Sequence, residues 1–159
     1  SIEKPNGDRE AVKGIGKGIF ATNDLTSVEI PEGVEVIGSL AFFNNNLTST
    51  RIPNSVKEIR KGAFQRNNLG SVDIPEGVEV IGEAAFYKND LTSVKIPDSV
   101  EVISEGGFFD KDLTSVEIGE GVDVAGNSIE GNFKEVYTDN DKSAGVYVRE
   151  DVDSDWYKE

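Results

Sequence analysis

The chain has 159 residues and a formal charge of −14, with 30 acidic against 16 basic side chains and neither cysteine nor histidine. Those absences remove disulfides, thiolate nucleophiles, zinc fingers and imidazole general bases, and no cofactor motif stands in their place. The charge opposes nucleic acid, whose phosphates need a basic face, and no apolar run reaches the ~18 residues of a membrane-spanning helix.

Ser1 opens a chain without methionine and is expected to be a processed or cut N-terminus, compatible with a removed export signal. Residues 1–24 read as an N-terminal cap and a partial copy of the repeat that begins at Leu25. Residues 1–11 contain Pro5, Asn6 and Gly7 and offer only Ile2 and Ala11 as apolar cover. Val12, Ile15, Gly16, Phe20 and Asn23 then stand 22 residues ahead of Val34, Ile37, Gly38, Phe42 and Asn45.

Residues 25–132 repeat one phrase five times. It runs LTSVEIPEGVEVIGSLAFFNNN from Leu25, LTSTRIPNSVKEIRKGAFQRNN from Leu47, LGSVDIPEGVEVIGEAAFYKND from Leu69 and LTSVKIPDSVEVISEGGFFDKD from Leu91. A degraded copy, LTSVEIGEGVDVAGNSIEGN, starts at Leu113. Self-similarity at a fixed period of this size specifies a solenoid, in which each repeat is one coil. A hydrophobic content of 36%, against roughly 45–50% in globular domains, suits a core one coil wide. The unbroken repeat leaves one domain.

Within a copy, Val28 and Ile30 alternate with Ser27 and Glu29 as in a half-buried strand. Pro31 ends that strand, because it lacks the N–H a ladder needs, and Glu32-Gly33 supplies a turn. The V-x-x-I-G-x-x-A-F stretch is expected to be a short extended piece leading into a helical turn. Ala41, Ala63, Ala85 and Gly107 form a small-residue column beside Phe42, Phe64, Phe86 and Phe108, so the coils stack without gaps. Asn45, Asn67 and Asn89 share a register that Lys111 breaks. They are read as a structural ladder, with a polar ligand site as the alternative.

Three surface rows carry the functional possibilities. The fifth strand position runs Glu29, Arg51, Asp73, Lys95 and Glu117, placing opposite charges on adjacent strands. With Thr26, Thr48 and Thr92 it forms a charged, hydroxyl-rich face suited to a peptide or glycan, or simply an ion-pair ladder that fixes register. Phe43, Gln65, Tyr87 and Phe109 follow the core Phe and are expected to point out or half out, as aromatic contacts for a protein or sugar. Charge is also uneven along the chain. Residues 47–68 are basic through Arg51, Lys57, Arg60, Lys61 and Arg66, whereas residues 113–159 are acidic. A heterologous contact between such ends makes a filament when it does not close.

Residues 133–159 read as a C-terminal cap: two strands, Val136–Tyr137 and Val146–Val148, around a polar turn, with Trp156 and Tyr157 over the last coil. Asp139, Asp141 and Ser143, then Asp151, Asp153 and Asp155, are spaced like calcium ligands. A hairpin turn explains the first set more simply, and no metal is assigned. Asn46-Leu47-Thr48 matches the N-glycosylation pattern, near chance in so Asn- and Thr-rich a chain.

The pattern LxxVxIPxxVxxIGxxAFxxN over residues 12–132 resembles the bacterial leucine-rich repeats of the BspA-like type, related to treponemal surface proteins. It departs from their commonest form in never having Cys at the position of Asn45. The resemblance implies a right-handed coil with a parallel sheet on one face, secretion or surface display, binding or adhesion to a protein or glycan, and no catalysis. Head-to-tail assembly into an extracellular filament is the alternative.

Overall fold

The computed structural model describes residues 13–159 and, ahead of them, the backbone pairing of β1 (Ile2–Glu3) with β2 (Arg9–Glu10). Val12 of the partial copy and the thin apolar cover expected from residues 1–11 lie outside the described residues. Then come β3 (Gly14–Ile15), β4 (Val36–Ile37), β5 (Glu58–Ile59), β6 (Ser71–Asp73), β7 (Val80–Ile81), β8 (Ser93–Ile96), β9 (Val102–Ile103), β10 (Ser115–Ile118) and β11 (Asp123–Val124). Helix α1 (Phe133–Asp139), β12 (Gly145–Val148) and β13 (Tyr157–Lys158) complete the chain.

Each phrase makes one coil, and the coils share two sheets. Strands β3, β4, β5, β7, β9 and β11 form a parallel sheet from the V-x-x-I stretch, with Ile15, Ile37, Ile59 and Ile81 in one register. Strands β6, β8 and β10 form a second parallel sheet from the S-V-x-I stretch. Sequence reading anticipated a sheet on one face only. The V-x-x-I stretch pairs as well because its inward Ile repeats every 22 residues and holds neighbouring backbones at ladder spacing.

The expected helical turn after it is a pair of overlapping β-turns instead. Ala41 N–H donates to Gly38 O and Phe43 N–H to Leu40 O, both at 3.1 Å. The residue between the two turns has positive φ in the five coils before the degraded copy, at Gly18, Leu40, Gly62, Ala84 and Gly106, which breaks any helical run. From this edge the N–H groups reach the next coil: Phe42 to Ala63 O and Phe64 to Ala85 O, each 2.8 Å. On the first sheet they reach the preceding coil, as Gly38 N–H does to Ile15 O at 2.9 Å.

The core is a set of columns. Phe20, Phe42, Phe64, Phe86 and Phe108 stack face to face with centroids 5.0–5.5 Å apart and planes within 15°. Ala41, Ala63 and Ala85 are fully buried beside them. The Asn positions form the expected ladder, bonding to backbone and not to each other. Asn67 Nδ2 donates to the carbonyls of Phe42 and Phe64, both at 3.0 Å, and its Oδ1 accepts Leu47 N–H at 3.1 Å. Asn45 and Asn89 repeat this pattern one coil either side.

Copies also alternate in pairs, a period the 22-residue reading overlooked. At the turn after the proline, Gly33 and Gly77 take φ of 95° and 111°, while Ser55 and Ser99 occupy the same place in the copies between. Each Ser Oγ accepts the glycine N–H of the preceding coil at 3.0 Å and donates to its Val carbonyl, tying coils into couples.

The cap differs from the expected hairpin. Val136 and Tyr137 belong to α1, because Phe133, Val136 and Tyr137 at i, i+3 and i+4 line one helical face. Strand β12 does form, but it pairs antiparallel with β10 on one side and β13 on the other. Trp156 is buried as anticipated, whereas Tyr157 is 48% exposed.

Candidate functional site

On the long-strand face, Asp73, Lys95 and Glu117 lie in register on β6, β8 and β10. Lys95 Nζ and Glu117 Oε1 are 2.9 Å apart, and that hydrogen bond is the main cause raising the ammonium pKa above its ordinary value. This is one closed rung, where alternating charge predicted a pair on each. Arg51 turns to Glu32 at 3.8 Å and stays 89% exposed, while its backbone bridges Glu29. The face is interrupted beside Arg51 because two residues depart from the phrase. Gly70 replaces Thr, and Thr50 replaces the inward Val, leaving its hydroxyl oxygen buried without a partner. Thr26, Thr48 and Thr92 are exposed, and Thr92 N–H donates to Gly70 O at 3.1 Å. Where β12 joins β10, a cavity of about 290 Å³ opens, lined by Glu76, Lys95, Asp98, Glu117 and Val146.

On the turn edge, Phe43, Gln65, Tyr87 and Phe109 form a half-buried row. The Arg66 guanidinium lies 5.7 Å from the Phe43 ring centre and the Lys88 ammonium 5.3 Å from that of Tyr87. Tyr87 and Phe109 meet edge to face at 6.1 Å. Both rings border two clefts: one of about 330 Å³ with Lys88, Asp90, Asp110 and Lys111, the other of about 290 Å³ with Glu83, Glu105 and Asn127.

The acidic spacings bring no metal-binding group together: among the described residues no three carboxylates converge. Asp139 ends α1, while Asp141 and Lys142 take positive φ in the turn after it. Asp151 accepts from Ser154 Oγ at 2.7 Å and from Asp153 N–H at 3.0 Å, bonds that hold its carboxyl below the usual range. Asn46 and Thr48 are both exposed.

The basic second coil is largely paired with its neighbours. Lys57 reaches Glu79 at 3.9 Å and Lys61 reaches Glu83 at 2.8 Å, both in the next coil, while Arg60 pairs with Glu58 at 2.9 Å. Its charge is thus the complement of the acidic coil after it.

Sequence reading passed over Asp110 and Arg149 and set Tyr137 on a cap strand; the roles of all three appear only when coils are superposed. Arg149 is 4% exposed; its Nε donates to Leu113 O at 2.8 Å, where Leu25 O, Leu47 O and Leu69 O receive the backbone N–H of Asn46, Asn68 and Asp90, the residues that end each coil. The Tyr137 hydroxyl donates to Gly119 O at 2.7 Å and accepts Val122 N–H at 3.1 Å, entering a turn that earlier copies close directly from Val to Pro. Burial pushes its pKa up.

No curated protein matches the chain. A crystal structure of a leucine-rich repeat protein from Bacteroides ovatus is similar at 29% identity and a TM-score of 0.62, over 81% of this chain and 33% of that one. A leucine-rich repeat protein from Eubacterium ventriosum is similar at 21% identity and a TM-score of 0.47, over 61% of this chain and 32% of that one. The chain thus spans about a third of the length of each. The family model for the BspA type leucine rich repeat region matches residues 13–134 in six copies, so the partial copy ahead of Leu25 counts as a full coil. Coils of one 22-residue phrase, stacked in register through Phe and Asn columns, place this chain in the BspA-type leucine-rich repeat family.

Proposed function

We propose that the chain is a non-catalytic recognition module displayed outside the cell, which engages a protein or glycan surface through its long-strand face. The observation that carries this reading is the register of Asp73, Lys95 and Glu117 on three adjacent strands, open to solvent beside the cavity at β12. Repeats of this family generally mediate binding. Charges of both signs at ladder spacing select partners by complementarity more than they stabilise the fold.

The filament alternative has less to support it. Arg149, Tyr137 and Trp156 close the C-terminal core, and the basic coil pairs within the solenoid. The reading is tested with beads coated with the chain and presented to extracellular matrix. Reversing Arg51 and Lys95 to Glu is expected to cut attachment at least about tenfold. Unchanged attachment overturns the assignment to this face.

A further inference from the structure

The phrase breaks its own rule once on the turn edge, and a cleft lies beside the break. In three full coils the outer-row residue (Phe43, Gln65, Tyr87) is followed by a residue of positive φ (Asn44, Arg66, Lys88) and then by the buried Asn of the ladder. In the fourth, FFDKD, Asp110 turns inward one place early and is 3% exposed. Its carboxylate accepts Asn89 N–H at 3.0 Å and Leu91 N–H at 3.3 Å, the same pair of donors that Asn45 accepts from Asn23 and Leu25. An ionised carboxylate has no N–H to return, so it cannot give the Phe108 carbonyl the bond that Asn67 gives Phe64. Burial accordingly lifts the Asp110 carboxyl above its ordinary pKa. Lys111 is left on the surface, paired with Asp112 at 3.0 Å.

The repeat thus gives up a favourable rung where Tyr87 and Phe109 wall the 330 Å³ cleft, with Asp110 lining its depth and Lys88, Asp90 and Lys111 at its rim. Departures from local consistency concentrate at functional sites. We propose that this cleft binds a neutral carbohydrate, with the C–H face of a sugar ring against Tyr87 and Phe109 and its hydroxyls toward Asp90, Lys88 and Lys111. This site goes beyond the long-strand face, since its residues lie in the turns and not on β8 or β10.

Three observations select that ligand class. Lys88 and Lys111 balance Asp90 and Asp110, so the cleft favours neither a polyanion nor a polycation. Residues 87–90 and 109–112 contain no strand, so a peptide has no free edge to extend. Two rings with both cationic donors and carboxylate acceptors in the same lining suit an amphipathic ring bearing hydroxyls, in a space near the lower limit of ligand pockets.

The test is a titration of the ¹⁵N-labelled chain with cellotetraose, maltotetraose, mannotetraose and chitotetraose, and separately with oligoglutamate and oligolysine peptides. At least one sugar is expected to shift the amides of Lys88, Asp90, Phe109 and Lys111 saturably. Replacing Tyr87 and Phe109 together by Gln, which the row already carries at Gln65, is expected to weaken that binding about tenfold or more, a loss of at least about 1.4 kcal/mol. Should the double variant not fold, Tyr87→Gln alone gives the comparison. Silence from all four sugars, shifts that survive the Gln variant, or saturable shifts with a charged peptide alone would each overturn the proposal. Attachment through the long-strand face is unaffected by Tyr87→Gln, so failure of one reading is distinguishable from failure of the other.

Discussion

Phe64 lies between Phe42 and Phe86, 5.2 and 5.3 Å from their ring centres and fully buried. Truncation to Ala leaves a void bounded by rings that backbone bonds hold at coil spacing, so the site collapses poorly. Phe64→Ala is expected to cost about 3–5 kcal/mol, read by urea denaturation. Asp110 gives a prediction of opposite character. Its folded pKa is raised, so the folded state binds the proton more readily than the unfolded chain. Its contribution is therefore fully present below the unfolded value of about 3.9 and is lost as pH rises through the raised folded value. The urea midpoint of the wild type is expected to fall across that window relative to Asp110→Asn; parallel curves for the two proteins would refute the linkage. Of these residues the Phe column was legible, because a fixed period makes identical neighbours inevitable. Asp110 was not, since Lys111 holds the nominal Asn place and the inward turn one residue earlier appears only in the backbone path.

At the scale of elements, the sequence distinguished strand from turn wherever proline or glycine punctuates the phrase. It misjudged elements whose pairing partner is distant or absent. The V-x-x-I stretch reads as a short extended piece before a helical turn, and its extended part does form strands, but two-residue strands carry too little alternation to declare a sheet. The cap reads as a hairpin because Val136 and Tyr137 favour strands in isolation, while the partner of Tyr137 is the turn at Gly119 and Val122. Gly119 itself replaces the recurrent Pro for a physical reason. Its N–H donates to Ile96 O at 2.9 Å, and a Cβ there would meet Asp98 Cα at 2.6 Å. Arg149 stands in for a further coil by bonding Leu113 O and Val152 O, each at 2.8 Å, with its guanidinium 5.0 Å from the Trp156 ring. Arg149→Ala is expected to cost about 1–3 kcal/mol, because the buried Leu113 carbonyl loses its donor and the partly exposed Glu130 carboxylate 3.8 Å away loses its counter-charge. The first sign is earlier melting of the cap, followed through Trp156 fluorescence.

For the whole molecule, uneven charge was visible in composition, but its use was not. A basic coil followed by an acidic one reads as two poles until side chains are placed, and then Lys57 and Lys61 meet Glu79 and Glu83. Sedimentation velocity at low and high salt is expected to show one monomeric species, since Lys57, Arg60 and Lys61 of the basic coil are paired within the stack and the C-terminal core is closed. Salt-sensitive polymers would restore the filament reading. The surfaces assigned to recognition depend on coils that keep their register as one rigid array. Native-state amide exchange tests that most directly. The N–H groups of Phe42, Phe64 and Phe86, each bonded to the next coil at 2.8–2.9 Å, are predicted to exchange together and only through openings close to global unfolding. Exchange of these amides at the rate of an unstructured chain, or at unrelated rates in neighbouring coils, would contradict it.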